Sequence, residues 1–350
     1  MITFLVKKGF EYTVNEYLKS EWGDEIRDHV RVMSYSKINR ISDHPQQLIV
    51  FTDHERLSNQ EKKALAKIWD FLKRSYSELI LYNDPNRVIV RHELLTELSN
   101  RGMNKFRSFK LNDDLSGLNY PVFIRSKFEH SGNLTNLIYS YDDLIKEIRR
   151  LIFPRNIYRK KDLLIIEFYD SKDSSGIYRK HAAYRINRVL IPRALGFSTH
   201  WMVKSGIFTN NLDHFLEKLK FVQSELENTE LNSVFDIAGI DYGRIDFVFT
   251  DQNFQVWEIN TNPMIEGWLY KMTEYRKERS LENIKINEEA KRTFFVRFNE
   301  QVLTLLTRNA IIVSPVPFLL LVQLKIAIYL ARTRQELRHL VAEWYRLFSP

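Results

Sequence analysis

The sequence predicts an α+β protein with an N-terminal α/β lobe, a mixed core and a helical C-terminal extension. Three observations predict it. The first hundred or so residues alternate between short apolar runs and one strongly amphipathic stretch. Arg244 to Asn260 reads as two alternating strands around a polar turn. From Lys271 onward the chain is helical in pattern and basic.

The elements follow in order. Gln47 to Thr52 reads as a buried strand. Asn59 to Ser75 reads as a helix, with Leu65, Ile68, Trp69 and Leu72 near 3.6-residue spacing. Leu79 to Tyr82 is a strand that ends in the turn Asn83-Asp84-Pro85. A helix is expected from about Ile89 to Asn100, stopped at Arg101-Gly102. Tyr120 to Lys127 and Asp162 to Glu167 read as strands, and the alternation over Tyr184 to Ile191 as one more, with Arg185 and Arg193 presented to one side. Leu212 to Leu226 reads as a helix that leads into the hairpin.

Composition sets the bounds. With 44% hydrophobic and 27% charged residues, the chain is ordinary globular material, long enough for two or three packed lobes. Eleven glycines and nine prolines leave little room for long flexible linkers. The absence of cysteine excludes disulfides, thiolate metal sites and cysteine nucleophiles. Met1 to Val6 is too short an apolar run for a secretory signal, so a cytoplasmic location is expected. Net charge is +8, and +6 of it lies in residues 271–350, with 14 Lys/Arg against 8 Asp/Glu. No Lys/Arg block, zinc-finger spacing or aromatic-basic RNA motif accompanies that charge, so nucleic acid is not the expected partner.

The hairpin carries the chemistry. In Arg244 to Thr250, Ile245, Phe247 and Phe249 face one way and Arg244, Asp246 and Val248 the other. A three-residue turn at Asp251-Gln252-Asn253 would set Val248 opposite Val256, Asp246 opposite Glu258 and Arg244 opposite Asn260. Two carboxylates about 5 Å apart at an effective dielectric of about 20 repel by roughly 3 kcal/mol. A retained proton, the Arg244 guanidinium or a divalent cation could offset that. Asn260 adds a neutral oxygen on the same face, and a carboxylate-rich set of this kind suits Mg²⁺. An ordinary solvated hairpin face is the plainer alternative.

The whole string, Arg244-x-Asp246 and then Glu258-x-Asn260-Thr261-Asn262-Pro263, resembles the metal-binding hairpin of the ATP-grasp superfamily, in the branch of the D-alanine:D-alanine ligases and ribosomal-protein glutamate ligases. The resemblance implies an ATP-grasp fold, two α/β lobes clasping ATP, and covers Leu79 to Gly267. It divides the chain into residues 1–105, an ATP-grasp core at 106–270 (small lobe about 106–170, large lobe about 171–270), and an extension at 271–350 that it leaves unexplained. It also implies that Asp246, Glu258 and Asn260 hold Mg²⁺ on the phosphates of ATP, and that Arg244 binds the transferred phosphoryl group. Arg125 stands where the family has its phosphate lysine, with Lys127 two residues on and the loop holding His130 beyond; either cation could take the role. Glu167, Phe168 and Tyr169 would meet the adenine, Asp170 or Asp173 the ribose, and Lys204 the nucleotide. Met264 and Ile265 follow Pro263 where the ligases usually have glycine, a departure that touches the shape of the acceptor pocket and not the metal site.

The activity implied is an ATP- and Mg-dependent carboxylate-amine ligase acting on small-molecule or peptide carboxylates and amines. An ATP-grasp kinase and a non-catalytic nucleotide-binding module are the alternatives. His181 and His200 are expected to be structural. In the extension, Pro317 is expected to open a helix that turns basic after Arg332. That tail should pack on the core or on a second subunit, as a homo-oligomer would have it; peripheral contact with an anionic membrane is the other reading.

Overall fold

The computed structural model describes all residues except 128–131, 154–157, 159, 204–210, 228, 252, 267–279, 308–309 and 349–350, with the backbone alone for 334–348. The described strands form three sheets.

The first sheet is parallel, in the order β2-β1-β3-β4. Its elements are β1 (Ile2–Val6), α1 (Tyr12–Lys19), β2 (Val30–Ser34), β3 (Leu48–Phe51), α2 (Asn59–Ser75), β4 (Ile80–Tyr82) and α3 (Arg91–Asn100). Every residue of β1 and β3 is buried, as parallel strands covered on both faces require. The amphipathic stretch is α2. Ser58 and Glu61 close a capping box at its start, and Leu65, Ile68, Trp69 and Leu72 pack beneath the sheet.

The second sheet, in the order β5-β7-β6, is antiparallel. It comprises β5 (Ser108–Lys110), β6 (Val122–Ser126), α4 (Tyr141–Ile152) and β7 (Leu163–Glu167). Leu144, Leu151 and Ile152 of α4 cover one face; Phe123, Leu164 and Ile166 present the other to the cleft side.

The third sheet is also antiparallel, β11-β10-β8-β9. It is built from β8 (Tyr178–Ile186), β9 (Val189–Ser198), α5 (Leu212–Gln223), α6 (Thr229–Ala238), β10 (Tyr242–Phe249) and β11 (Phe254–Asn260). The single strand expected over Tyr184 to Ile191 is in fact the meeting of two. Ile186 pairs with Val189, and the chain reverses at Asn187, whose φ of 58° lies in the left-handed region that asparagine tolerates. Arg185 and Arg193 also point to opposite faces. Arg185 lies over Phe235 of α6 and bonds Asp236, whereas Arg193 lies over Phe294 beyond the other face. The register shift between Ala182 and Ala183 sets Ala183 opposite Pro192 and Ala182 opposite Ala194, leaving Arg193 between them on β9.

Two helices complete the chain, α7 (Leu281–Thr304) and α8 (Phe318–Phe348). The first is part of the core. Its Phe294, Phe295 and Phe298 sit between β1 and β3 on one side and Tyr184, Ile186 and Tyr242 on the other. Tyr17 of α1 stacks on Phe295 at 5.1 Å and bonds Asn299 at 2.6 Å. The second lies on the outer side of α2. It starts one residue later than expected, and the Pro317 carbonyl accepts from the Leu320 and Leu321 N–H groups. No described helix is long and apolar enough to cross a membrane.

Candidate functional site

The second and third sheets face each other across a cleft of about 200 Å³. Aromatic rings meet there. Trp201 lies 5.1 Å from Phe123 and 5.7 Å from Phe168, and Trp257 stacks on Phe106 at 4.9 Å. The lining is also charged, with Arg125, Arg179, Lys180, Arg244, Asp246, Glu258 and Asn260.

Hairpin geometry puts the acids there. Asp246 pairs with Glu258 and Arg244 with Asn260, as the alternation predicts. Gly243 lets the strands close up ahead of the site, since a Cβ there would come within 3.0 Å of the Asn260 carbonyl. Toward the turn the expected register fails by one residue. Phe247 faces Val256 and Val248 faces Gln255, because β11 carries an extra residue between Val256 and Glu258. The turn itself spans four residues, not three, with the Thr250 N–H donating to Asn253 at 2.7 Å. The bulged residue is Trp257, and the bulge puts its indole in the cleft beside Glu258.

Four cations hold the two carboxylates. Asp246 accepts from Arg244 Nε at 2.9 Å and Lys180 Nζ at 3.3 Å. Glu258 accepts from Arg125 at 3.3 Å and from Arg91, the first residue of α3, which also donates to the Ser126 carbonyl at 3.2 Å. Burial alone would raise the Asp246 pKa, but Arg244 and Lys180 outweigh it and hold the carboxyl below its usual range. Arg125 moves the other way: burial first, then the neighbouring Arg91, lower it to about 10. The repulsion between the acids is thus answered by guanidinium and ammonium groups, and no proton has to be retained. Two negative charges among four positive ones leave a net +2 in a narrow cleft, which suits a polyanion.

The donor set fits a hard divalent cation. Among the described residues no three His, Cys, Asp or Glu side chains cluster, so two carboxylates and the Asn260 amide oxygen form the candidate set. That is a partial shell, of the kind Mg²⁺ completes with water and phosphate oxygens. Asn260 Oδ1 accepts the Asn262 N–H at 3.0 Å, which orients the amide oxygen within the site.

Of the residues singled out from sequence, Arg125, Phe168, Tyr169, Arg244, Asp246, Glu258 and Asn260 meet in this one cleft. Four do not line it. Lys127 reaches away to Glu93 of α3 at 3.2 Å. The Glu167 carboxylate is buried on Arg107 and on the Arg107 and Asn119 N–H groups, while its own N–H and that of Phe168 donate to the Arg107 and Pro121 carbonyls. These bonds tie the end of β7 to its neighbours and take up two groups expected to read adenine. Asp173 is drawn into a turn, capping the Ser175 and Ile177 N–H groups and pairing with Arg179; Asp170 pairs with Lys172. Lys204 and His130 lie outside the described residues. His181 is buried against Phe221, Phe247 and Phe249, and burial lowers its pKa to about 4, so it is a neutral core residue. The His200 ring accepts the Met202 N–H at 3.1 Å.

Sequence reasoning missed Arg91, Lys180, Trp201 and Trp257. Arg91 had no local signal, since it opens an ordinary helix far from the hairpin in sequence. Lys180 had one, its place on an alternating strand that must pair with β10.

No protein-family model matches the chain, and no curated protein matches it in sequence. Among solved structures it is similar to the D-alanine–D-alanine ligase from Bacillus anthracis complexed with ATP, at 12% identity over 86% of this chain and 99% of that one, with a TM-score of 0.43. It is similar to the ATP-grasp ligase PsnB complexed with minimal precursor, at 11% identity over 82% and 97%, with a TM-score of 0.43. It is also similar to the L-amino acid ligase from Bacillus licheniformis, at 13% identity over 74% and 67%, with a TM-score of 0.41. The mixed α/β architecture, with an acidic hairpin in a cleft between two antiparallel sheets, accommodates the hairpin motif read from the sequence.

Proposed function

We propose that the chain has an ATP-grasp fold and is an ATP- and Mg-dependent ligase that joins a carboxylate to an amine. One observation carries the reading: the Asp246–Glu258 pair, held by four cations, lines a cleft that aromatic rings also line. A nucleoside triphosphate calls for both, rings for its flat base and cations for its charged tail.

In the reaction, a carboxylate oxygen of the substrate attacks the γ-phosphorus and ADP leaves. The amine nitrogen then attacks the acyl carbon, phosphate leaves and the amine gives up a proton. The chain's part is positioning and charge neutralisation. Trp201 and Phe168 pack against the base, and Arg125 and Lys180 neutralise phosphate oxygens. Arg244, beside Asp246, meets the phosphoryl group in transfer. Asp246, Glu258 and Asn260 would hold Mg²⁺, which supplies charge stabilisation on the phosphates. Because the acids are already ion-paired, ligand binding exchanges guanidinium contacts for phosphate contacts without exposing a bare carboxylate.

The test is product analysis. Purified protein with Mg-ATP and pools of carboxylates and amines should release ADP and phosphate in step with a new amide, read by mass spectrometry. A phosphate ester in place of the amide would make it a kinase. Nucleotide binding with no ADP release under any pool would make it a binding module.

A further inference from the structure

A second cavity, of about 580 Å³, lies apart from the cleft. The third sheet separates the two. Tyr184 and Ala182 pair with Arg244 and Asp246 and share their face, so Arg185, the next residue of β8, points to the other. On that side α2, the turn after β4, the β8–β9 turn and the end of α6 enclose the cavity. Buried Trp69 and Phe235 give it an apolar wall.

Four cations and three acids also line it. The acids are engaged. Asp236 accepts from Arg185 at 2.6 Å and from Arg188 at 3.3 Å. Asp84 accepts the Asn86 N–H at 2.9 Å and its side-chain amide at 3.0 Å, and Asp241 accepts the Asn83 N–H at 3.0 Å. Asn86 also bonds Asp70, outside the lining, at 3.2 Å. Two cations are left over, Lys73 of α2 and Arg87 of the turn after β4. Both are exposed, and among the described residues neither has an acid within ion-pair reach. Arg87 is also clamped in place. Its N–H donates to the Asp84 carbonyl at 2.9 Å, and Gly239, at a φ of 68°, lies so close that a Cβ there would meet the Arg87 carbonyl at 2.9 Å. Like charges brought to one cavity from separate elements repel, and an anion between them removes the repulsion.

We infer that this cavity is a second ligand site, for a small organic anion carrying at least two carboxylate or phosphate groups. Lys73 and Arg87 take the anionic groups, the guanidinium through two parallel bonds. The carbon body lies along Trp69 and Phe235. The volume is that of a small-molecule pocket rather than of an inorganic ion. The inference stands independently of the ligase reading.

The experiment is calorimetric titration of the full chain with citrate and, separately, with fructose 1,6-bisphosphate, which distinguishes carboxylate from phosphate ligands. At least one should bind. Lys73→Gln with Arg87→Gln should raise its Kd about tenfold with an unchanged thermal melt, while Arg125→Met in the cleft should leave that Kd as it was. The bound probe should also protect Lys73, but not the exposed Lys63 of the same helix, from acetylation read by peptide mass spectrometry. No binding of either probe at millimolar concentration would overturn the inference, as would unchanged Lys73 labelling. So would a Kd that Arg125→Met raises and the double variant does not, because the anion would then occupy the cleft.

Discussion

Asp246 and Asp53 are both buried carboxylates beside an arginine close in sequence, yet their pKa values shift in opposite directions. Asp246 is held below the usual range. Asp53 is raised to about 7, by burial first and with Glu55 adding to it, although Arg56 at 2.5 Å, the Lys7 N–H at 2.7 Å and Asn262 at 3.0 Å all donate to it. The difference lies in the ratio of cations to acids. Around Asp246 and Glu258 four cations serve two carboxylates; Arg56 is shared between Asp53 and Glu55. Two hydrogen bonds link the regions, Asn262 N–H to Asn260 and Asn262 Nδ2 to Asp53. Burial raises a carboxyl's pKa unless surplus positive charge is built around it, and here the surplus marks the cleft.

The strongest way to break the comparison is to neutralise the cleft acids. Asp246→Asn and Glu258→Gln should each cut ATP-dependent turnover by about 10²–10³-fold in folded protein, measured as ADP release. Wild-type turnover in either variant would reduce the pair to a structural ion network. Next come the cations. Arg125→Met should raise the apparent Kd for ATP by about tenfold or more in a nucleotide-binding titration, because a charge-assisted contact in a buried site is lost. Lys127→Met, two residues on but paired with Glu93 outside the cleft lining, should change it by less than about threefold; the reverse order would exchange their roles.

The smallest effect sharpens the contrast through pH. Between its ordinary value of 3.8 and about 7, the folded chain keeps a proton on Asp53 that the unfolded chain has released. The Asp53 contribution is therefore full below that window and is lost as pH rises through it. Asp246, with its lowered pKa, contributes stability above the ordinary carboxylate value and loses it on acidification. His54 and His181, whose pKa values burial lowers to about 4, add the opposite slope, so the readout is a difference: the Tm of Asp53→Asn relative to the wild type should climb from pH 5 toward 7. An unchanged slope in the variant would assign the proton elsewhere.

Much of the fold could be read from local pattern. The α2 boundaries follow from its capping box and apolar spacing, and β6 and β7 from their apolar runs. The β8–β9 reversal escaped notice because asparagine, not glycine, takes the left-handed position. The Trp257 bulge escaped because an inserted residue leaves alternation intact on each side of it. Arg91 and Lys180 escaped for a different reason: they reach the hairpin from α3 and β8, across 167 and 66 residues of chain.

By itself the sequence determined the cross-strand alignment of Asp246 with Glu258 and Arg244 with Asn260, because a hairpin joins residues that are already neighbours along the chain. It also determined the basic, apolar character of the tail. Only the tertiary structure decided which cations answer the two acids, that Lys127 and Asp173 turn elsewhere, and that α7 fills the core while α8 leaves one face uncovered. Those outcomes depend on packing between distant segments, where side-chain reach and burial act in three dimensions and leave no period in the sequence.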